Sequence, residues 1–181
     1  MNTLSQFKQI HVRRFVFALA LVALLVKVAP AYATPACGVT TEFITPDTGI
    51  RWEQIRAKAK SVDDLWRARI AVQGASDLYV VQNTFSPLGN TGWHTHPGVS
   101  LVMVISGTIA VYDGDDPSCT PQYYAAGSSF VDPTSAGHIH LLRNESSTDD
   151  AVTVAVQLVP AGAERRIDSP DPGFCDPFPC M

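Results

Sequence analysis

Past its first 33 residues the chain has no long hydrophobic run, few basic residues and very few histidines. Of its 13 Lys and Arg, four (Lys8, Arg13, Arg14 and Lys27) fall in that first segment, leaving 9 against all 17 Asp and Glu. A formal charge of −8 with no basic patch argues against nucleic acid and anionic membrane surfaces as partners. There is no C-x-x-C pair, and no cysteine lies close in sequence to a histidine, which disfavours thiolate zinc sites. No heptad, internal repeat or low-complexity segment is found, which removes coiled-coil and solenoid architectures from consideration.

The one long apolar run, "FVFALALVALLV", follows the basic stretch of Lys8, His11, Arg13 and Arg14 and precedes "AYA" at residues 31–33. A positive segment, an apolar segment of this length and a small-x-small site together predict a cleaved secretory signal over residues 1–33. The run is short for a membrane span and is closed by Lys27. Removing 33 of 181 residues leaves 148, a single-domain size, in a secreted or periplasmic protein with no membrane attachment after cleavage. Cys37, Cys119, Cys175 and Cys180 are an even set in an exported chain and imply disulfides. Three pairings are open; the expected one joins Cys119 to Cys175 and Cys37 to Cys180, tying the tail "SPDPGFCDPFPC" to the body.

The body reads as all-β. In "LWRARIAVQG", Trp66, Ala68, Ile70 and Val72 alternate with Arg67, Arg69, Ala71 and Gln73, the period of a half-buried strand. Further strands are expected at "DLYVVQNTF", "SLVMVIS", "TIAVYDG", "SSFVD", "HIHLLRN" and "AVTVAVQLV", with "SPLGNTG" as a turn. Residues 50–66 have helix-forming composition, but Ile50 and Trp52 suit a strand, and a strand followed by a loop is expected there. Short strands at regular spacing indicate a sandwich or barrel.

Four histidines remain after the leader, and they form two His-x-His pairs: His94 with His96, and His138 with His140. On a strand, residues i and i+2 project from one face, so each pair aims two imidazoles the same way. Imidazole is a donor for Fe, Mn, Ni, Cu and Zn. Against this stands the plainer alternative of buried or surface histidines satisfied by hydrogen bonds. Two pairs that hold every histidine of the mature chain favour metal.

With those residues in view, the sequence resembles a small single-domain cupin. In "GNTGWHTHPGVSLVMVISG", Gly89, His94, His96 and Gly107 match the first cupin motif, with four rather than five residues between Gly89 and His94 and with Ser100 in the glutamate position. In "GSSFVDPTSAGHIHLLRN", Gly127, Pro133, Gly137, His140 and Asn144 match the second, with two extra residues between Pro133 and Gly137. The resemblance implies a double-stranded β-helix (jelly-roll) barrel over residues 77–160. It would be preceded by strands and loops over 34–76 and followed by a Pro/Cys-rich tail over 161–181. It implies a divalent transition metal (Fe, Mn, Ni, Cu or Zn) on His94, His96 and His140, with His138 as a further candidate ligand or rim residue, and it allows a homodimer.

The glutamate ligand has no counterpart, since a neutral Ser100 hydroxyl is a weak ligand, and Asp113, Asp115 and Asp116 are expected in a loop beyond the barrel. Three histidines with open positions is nonetheless a catalytic geometry. Leu101, Met103, Ile105 and Phe130 are expected to form an apolar wall, Trp93 and Thr95 to pack away from the ligands, and Asn144 to be structural. No catalytic acid or base is assigned; Tyr112, Tyr123 and Tyr124 are the candidates besides His138. Two functions stay open: a metal-dependent dioxygenase or other oxidoreductase acting on a small organic molecule, and a barrel that binds a sugar or phenolic without turnover. A metal-carrying or structural protein is the third and blander reading.

Overall fold

The computed structural model describes residues 33–132, 138–175 and 178. Leader residues 1–32, Pro133, Gly137 and Cys180 (the expected partner of Cys37) lie outside those residues. Among the described residues the chain forms no helix and thirteen strands. In order they are β1 (Cys37–Phe43), β2 (Ile50–Trp52), β3 (Arg56–Lys60), β4 (Arg67–Ala71), β5 (Ser76–Asn90), β6 (His94–Thr95), β7 (Val99–Ser106), β8 (Thr108–Asp113), β9 (Gln122–Ala125), β10 (Ser129–Asp132), β11 (His140–Arg143), β12 (Ala151–Pro160) and β13 (Ile167–Asp168).

All strand pairs are antiparallel. The main sheet runs β10-β7-β12-β5-β11-β6-β13, with β1 and β2 added on β5 and with β8 bridging β11 to β9. It curls into a nearly closed barrel, the all-β architecture expected from the strand pattern. Its core is built from inward side chains of both walls, among them Val81, Phe85, Val102, Val104, Ile109 and Leu142. Gly107 turns the chain from β7 in one wall to β8 in the other at φ 72°, where a Cβ would stand 2.8 Å from that of Ala151. That approach and that dihedral leave room only for glycine.

Three local expectations are overturned. Residues 50–66 hold two strands, β2 and β3, rather than a strand and a loop; β3 pairs with β4 in a separate two-stranded ribbon. That ribbon is not half-buried: Trp66 is 58% and Ile70 51% exposed, and among the described residues β3 and β4 pair only with each other. "SPLGNTG" is not a simple turn either. β5 continues to Asn90, kinked at Leu88 (φ 60°), because β1 pairs with it as far as Cys37↔Asn90. At Gly89 a Cβ would lie 2.5 Å from the Gly38 carbonyl oxygen, so this motif glycine serves the close approach of β1.

The wall expected from Leu101, Met103 and Ile105 is also turned around. These residues are 47%, 38% and 56% exposed, while Ser100, Val102 and Val104 on the alternate face are buried. Adjacent strand residues face opposite sides. Ser100 and Leu101 therefore could never both face the interior, and in an apolar run of both parities only the pairing partners choose the phase.

The Cys119–Cys175 disulfide is present, with Cα atoms 5.4 Å apart, and joins the loop after β8 to the tail. Its buried half packs with Trp93, Ala110, Tyr112 and Leu141. Closing a loop with a sequence separation of 56 predicts a loss of about 4 kcal/mol in Cys119→Ser/Cys175→Ser, on the loop-entropy relation. Denaturant unfolding of the double variant against the oxidised protein checks this; equal midpoints would exclude a stabilising bridge.

Candidate metal centre

The register brings the two His-x-His segments together. His94 on β6 lies directly across from His140 on β11, and β13 covers the other side of His94 through Asp168. The rings of His94 and His140 stand 4.4 Å apart between centroids, those of His94 and His96 4.9 Å, and those of His96 and His140 5.3 Å. All three residues are buried, and one ligating nitrogen from each lies within 4.8 Å of the others.

Two of the rings are oriented by the backbone. His94 Nδ1 lies 3.0 Å from the Gly92 carbonyl oxygen and His96 Nδ1 2.8 Å from that of Arg165. A carbonyl only accepts, so each ring must carry its proton on Nδ1 and present a bare Nε2. This is the arrangement by which outer hydrogen bonds prepare a histidine for a metal. Burial also holds the rings neutral: it pushes His96 down to about 4 and His140 to about 3, and takes His94 well below its usual value.

The carboxylate absent from the Ser100 position is present one strand over. Asp132 on β10 pairs with Ser100 on β7, and Ser100 pairs in turn with Gln157 on β12. All three are buried. Across this row Arg165 Nη1 donates to Gln157 Oε1 (2.8 Å), Gln157 Nε2 to Ser100 Oγ (3.2 Å), and Ser100 Oγ to Asp132 Oδ2 (2.8 Å). Ser100 thus orients a carboxylate rather than replacing one.

Asp132 Oδ2 lies 3.7 Å from His96 Nε2, and its Oδ1 lies 3.6 Å from His140 Nε2. Both separations are too long for hydrogen bonds. Asp132 Oδ1 and both nitrogens of His140 have no hydrogen-bond partner among the described residues. Burial pushes the Asp132 carboxyl up to about 6, against the lowering effect of the Ser100 hydrogen bond. A buried carboxylate that faces imidazole nitrogens with only one of its oxygens hydrogen-bonded is costly by several kcal/mol. A cation resolves that cost, because donors each about 2.0–2.2 Å from one ion stand up to roughly 4 Å apart. The donor set therefore fits a divalent transition metal held by His94, His96 and His140, with Asp132 beside them.

The other expected site residues lie elsewhere. His138 is outside the triad: its Nε2 is 3.2 Å from Asp113 Oδ1 and its Nδ1 3.2 Å from Asp115 Oδ2. Its position before the start of β11 releases it from the strand face that aims His140 inward. Asp113 closes β8 rather than lying in a loop. The Tyr112 hydroxyl donates to Glu145 Oε1, Tyr123 to Glu145 Oε2 (2.7 Å) and Tyr124 to Gln122 Oε1 (2.9 Å), and none of the three borders the histidines. Trp93 packs in the core as expected, and Asn144 holds the turn after β11 by donating to Phe85, Ser86 and Asp149 carbonyls.

Asp132, Gln157 and Arg165 were missed, and for two of them a signal existed. Phe130 was expected inside, and Asp132 two residues on shares its face. In "AVTVAVQLV", Gln157 has the parity of Ala151, Thr153 and Ala155, all buried. Small side chains at those positions leave a cavity of about 140 Å³ bordered by His94, His96, Asp132, Gln157, Arg165 and Val102, among others.

Fold and site together define an antiparallel β-barrel with an interior three-histidine, one-carboxylate cluster. No family model and no curated protein matches the sequence. Among solved structures the chain is similar to oxalate oxidase, with 22% identity, TM-score 0.41, and 50% of this chain and 45% of that one covered. The aligned part thus spans less than half of oxalate oxidase. It is similar also to an uncharacterised double-stranded β-helix protein from Klebsiella pneumoniae, with 21% identity over 65% of this chain and 84% of that one at TM-score 0.42. A third similar structure is a cupin superfamily protein from Desulfitobacterium hafniense, with 12% identity, coverage of 45% and 67%, and TM-score 0.39.

Proposed function

We propose that the protein is an exported cupin-type barrel that binds one divalent transition metal through His94, His96 and His140 and acts as a metal-dependent oxidoreductase, of the dioxygenase kind, on a small organic substrate. One observation supports the reading: three buried, neutral imidazoles converge beside a buried carboxylate whose Oδ1 has no donor among the described residues. When bound, a redox-capable ion such as Fe(II) would supply open coordination positions for O₂ and substrate. The chain's own contribution is to orient the ligands, through the Gly92 and Arg165 carbonyls, and to keep the site enclosed by the barrel. Asp132, held by Ser100, is the side chain placed to receive a substrate proton.

The non-catalytic binding barrel drew its support from the missing glutamate, and Asp132 removes that motive. Export is supported by the leader pattern and by the disulfide. No helix among the described residues is long and apolar enough to cross a membrane.

Elemental mass spectrometry of the purified protein is expected to find close to one Fe, Mn, Ni, Cu or Zn per chain. Oxygen uptake with small organic acids and phenolics then separates turnover from binding. A protein that binds none of these ions after incubation with each would exclude the metal reading; a metal-loaded protein inert to every substrate would exclude the oxidoreductase.

A further inference from the structure

The cavity beside the histidines is bordered by one cation, Arg165, that no carboxylate among the described residues neutralises. Two arginines, Arg165 and Arg166, border it from the segment between β12 and β13. Arg166 is satisfied: its Nε donates to Asp168 Oδ1 (2.5 Å) and its Nη2 to the Thr91 carbonyl (2.5 Å). Arg165 has no carboxylate partner among the described residues. Among the described residues its side chain makes one hydrogen bond, from Nη1 to the neutral Gln157 Oε1, and its guanidinium lies 5.6 Å above the Phe43 ring.

Burial, with Arg166 close by, pulls the Arg165 guanidinium below its ordinary value. A half-buried guanidinium with most of its five-donor fork free is a site for a planar oxyanion.

Phe85, Val102, Leu142 and Ala155 give the same cavity an apolar lining. Its volume of about 140 Å³ compares with the roughly 150 Å³ that admits a benzene-sized guest. A guanidinium held by Gln157, apolar side chains and two of the three histidines, His94 and His96, border this one cavity and together specify the charge and size of a guest.

We propose that Arg165 is the anion anchor of this cavity and that its ligand is a compact monocarboxylic acid of about six heavy atoms. The carboxylate is received by the Arg165 fork and the apolar body rests against Val102, Phe85 and Leu142. Gln157 positions the fork, tying the anchor to the same row of side chains that holds Asp132. The inference deepens the metal-centre reading, since it names the substrate class of that same cavity, and it rests on that reading for the ligand's being a substrate.

The test is calorimetric titration of the full chain, metal-loaded and metal-free, with pyruvate and isobutyrate against the neutral isobutyramide and against inorganic phosphate. Arg165→Gln and Arg165→Lys are titrated in parallel, with metal content and thermal unfolding measured for each. Wild-type protein is expected to bind the carboxylates at least tenfold more tightly than the amide. Arg165→Gln should erase that preference at unchanged metal content, and Arg165→Lys should keep part of it. Equal affinity for isobutyrate and isobutyramide, tighter binding of phosphate than of either acid, or an undiminished preference in Arg165→Gln would each overturn the anchor.

The comparison of acid with amide in wild-type protein needs no variant, so it stands if Arg165→Gln fails to fold. A preference for carboxylates in a protein that binds no metal would leave the anchor in place and refute the metal reading instead. Bound metal without the preference would do the reverse.

Discussion

In His140→Ala, bound metal is expected to fall from about one ion per chain to background, with affinity reduced at least 100-fold, beyond the 10–100-fold range for groups that only support ligands. His140 has no solvent exposure, and it is the ring whose two nitrogens both lack partners. Its removal takes away the donor that faces both His94 across the β6–β11 pairing and the Asp132 carboxyl. His96→Ala should behave alike, because its Nε2 faces the other oxygen of Asp132. His138→Ala should leave metal content unchanged, since His138 is engaged with Asp113 and Asp115 outside the triad. Elemental analysis and competition with a chromogenic chelator read all three. Stoichiometric metal in His140→Ala, or its loss in His138→Ala alone, would place the ion elsewhere.

The second large effect belongs to Asp132. Asp132→Asn is nearly isosteric and keeps a hydrogen-bonding partner for Ser100, yet it removes the only buried negative charge beside the triad among the described residues. Metal affinity should fall about 10–100-fold. Ser100→Ala removes one hydrogen bond to a charged group, worth about 1.5–3 kcal/mol, and should cost less affinity than Asp132→Asn because the carboxylate itself remains.

The paired strands make a sharper version possible. Asp132 and Ser100 are register partners that touch at 2.8 Å, so the carboxylate can be moved back to β7. Ser100→Glu/Asp132→Ser should recover metal lost in Asp132→Ser. Ser100→Glu alone sets two carboxyls in one buried space and should destabilise the metal-free protein, with metal restoring part of its melting temperature. Chelator competition and thermal unfolding with and without metal decide these outcomes. Wild-type affinity in Asp132→Asn would show that the carboxyl takes no part.

The composition and turn pattern, read alone, were enough for an all-β fold, and the two His-x-His pairs were enough to suggest a metal; the choice of His94, His96 and His140 among them came from the motif resemblance. The first two rest on local rules: period-2 alternation and the shared face of residues i and i+2. What the chain order could not decide was phase and register. "SLVMVIS" is apolar at both parities, and only pairing with β10 and β12 turned Ser100, Val102 and Val104 inward and left Leu101, Met103 and Ile105 outside. Residues 50–66 carry helical composition yet form strands, because pairing partners overrode a weak propensity.

The carboxylate shows the same division. Its position in sequence, 32 residues beyond Ser100 and beyond the reach of any local pattern, becomes contact only when β10 lies on β7. Arg165 is farther still, in a tail where no periodicity points inward. The sequence by itself therefore determined which chemistry the chain could carry: imidazoles in His-x-His pairs, in an acidic all-β body. Tertiary structure alone decided which carboxylate and which cation join them, because cross-strand neighbours are set by non-local pairing, and no spacing along the chain encodes it.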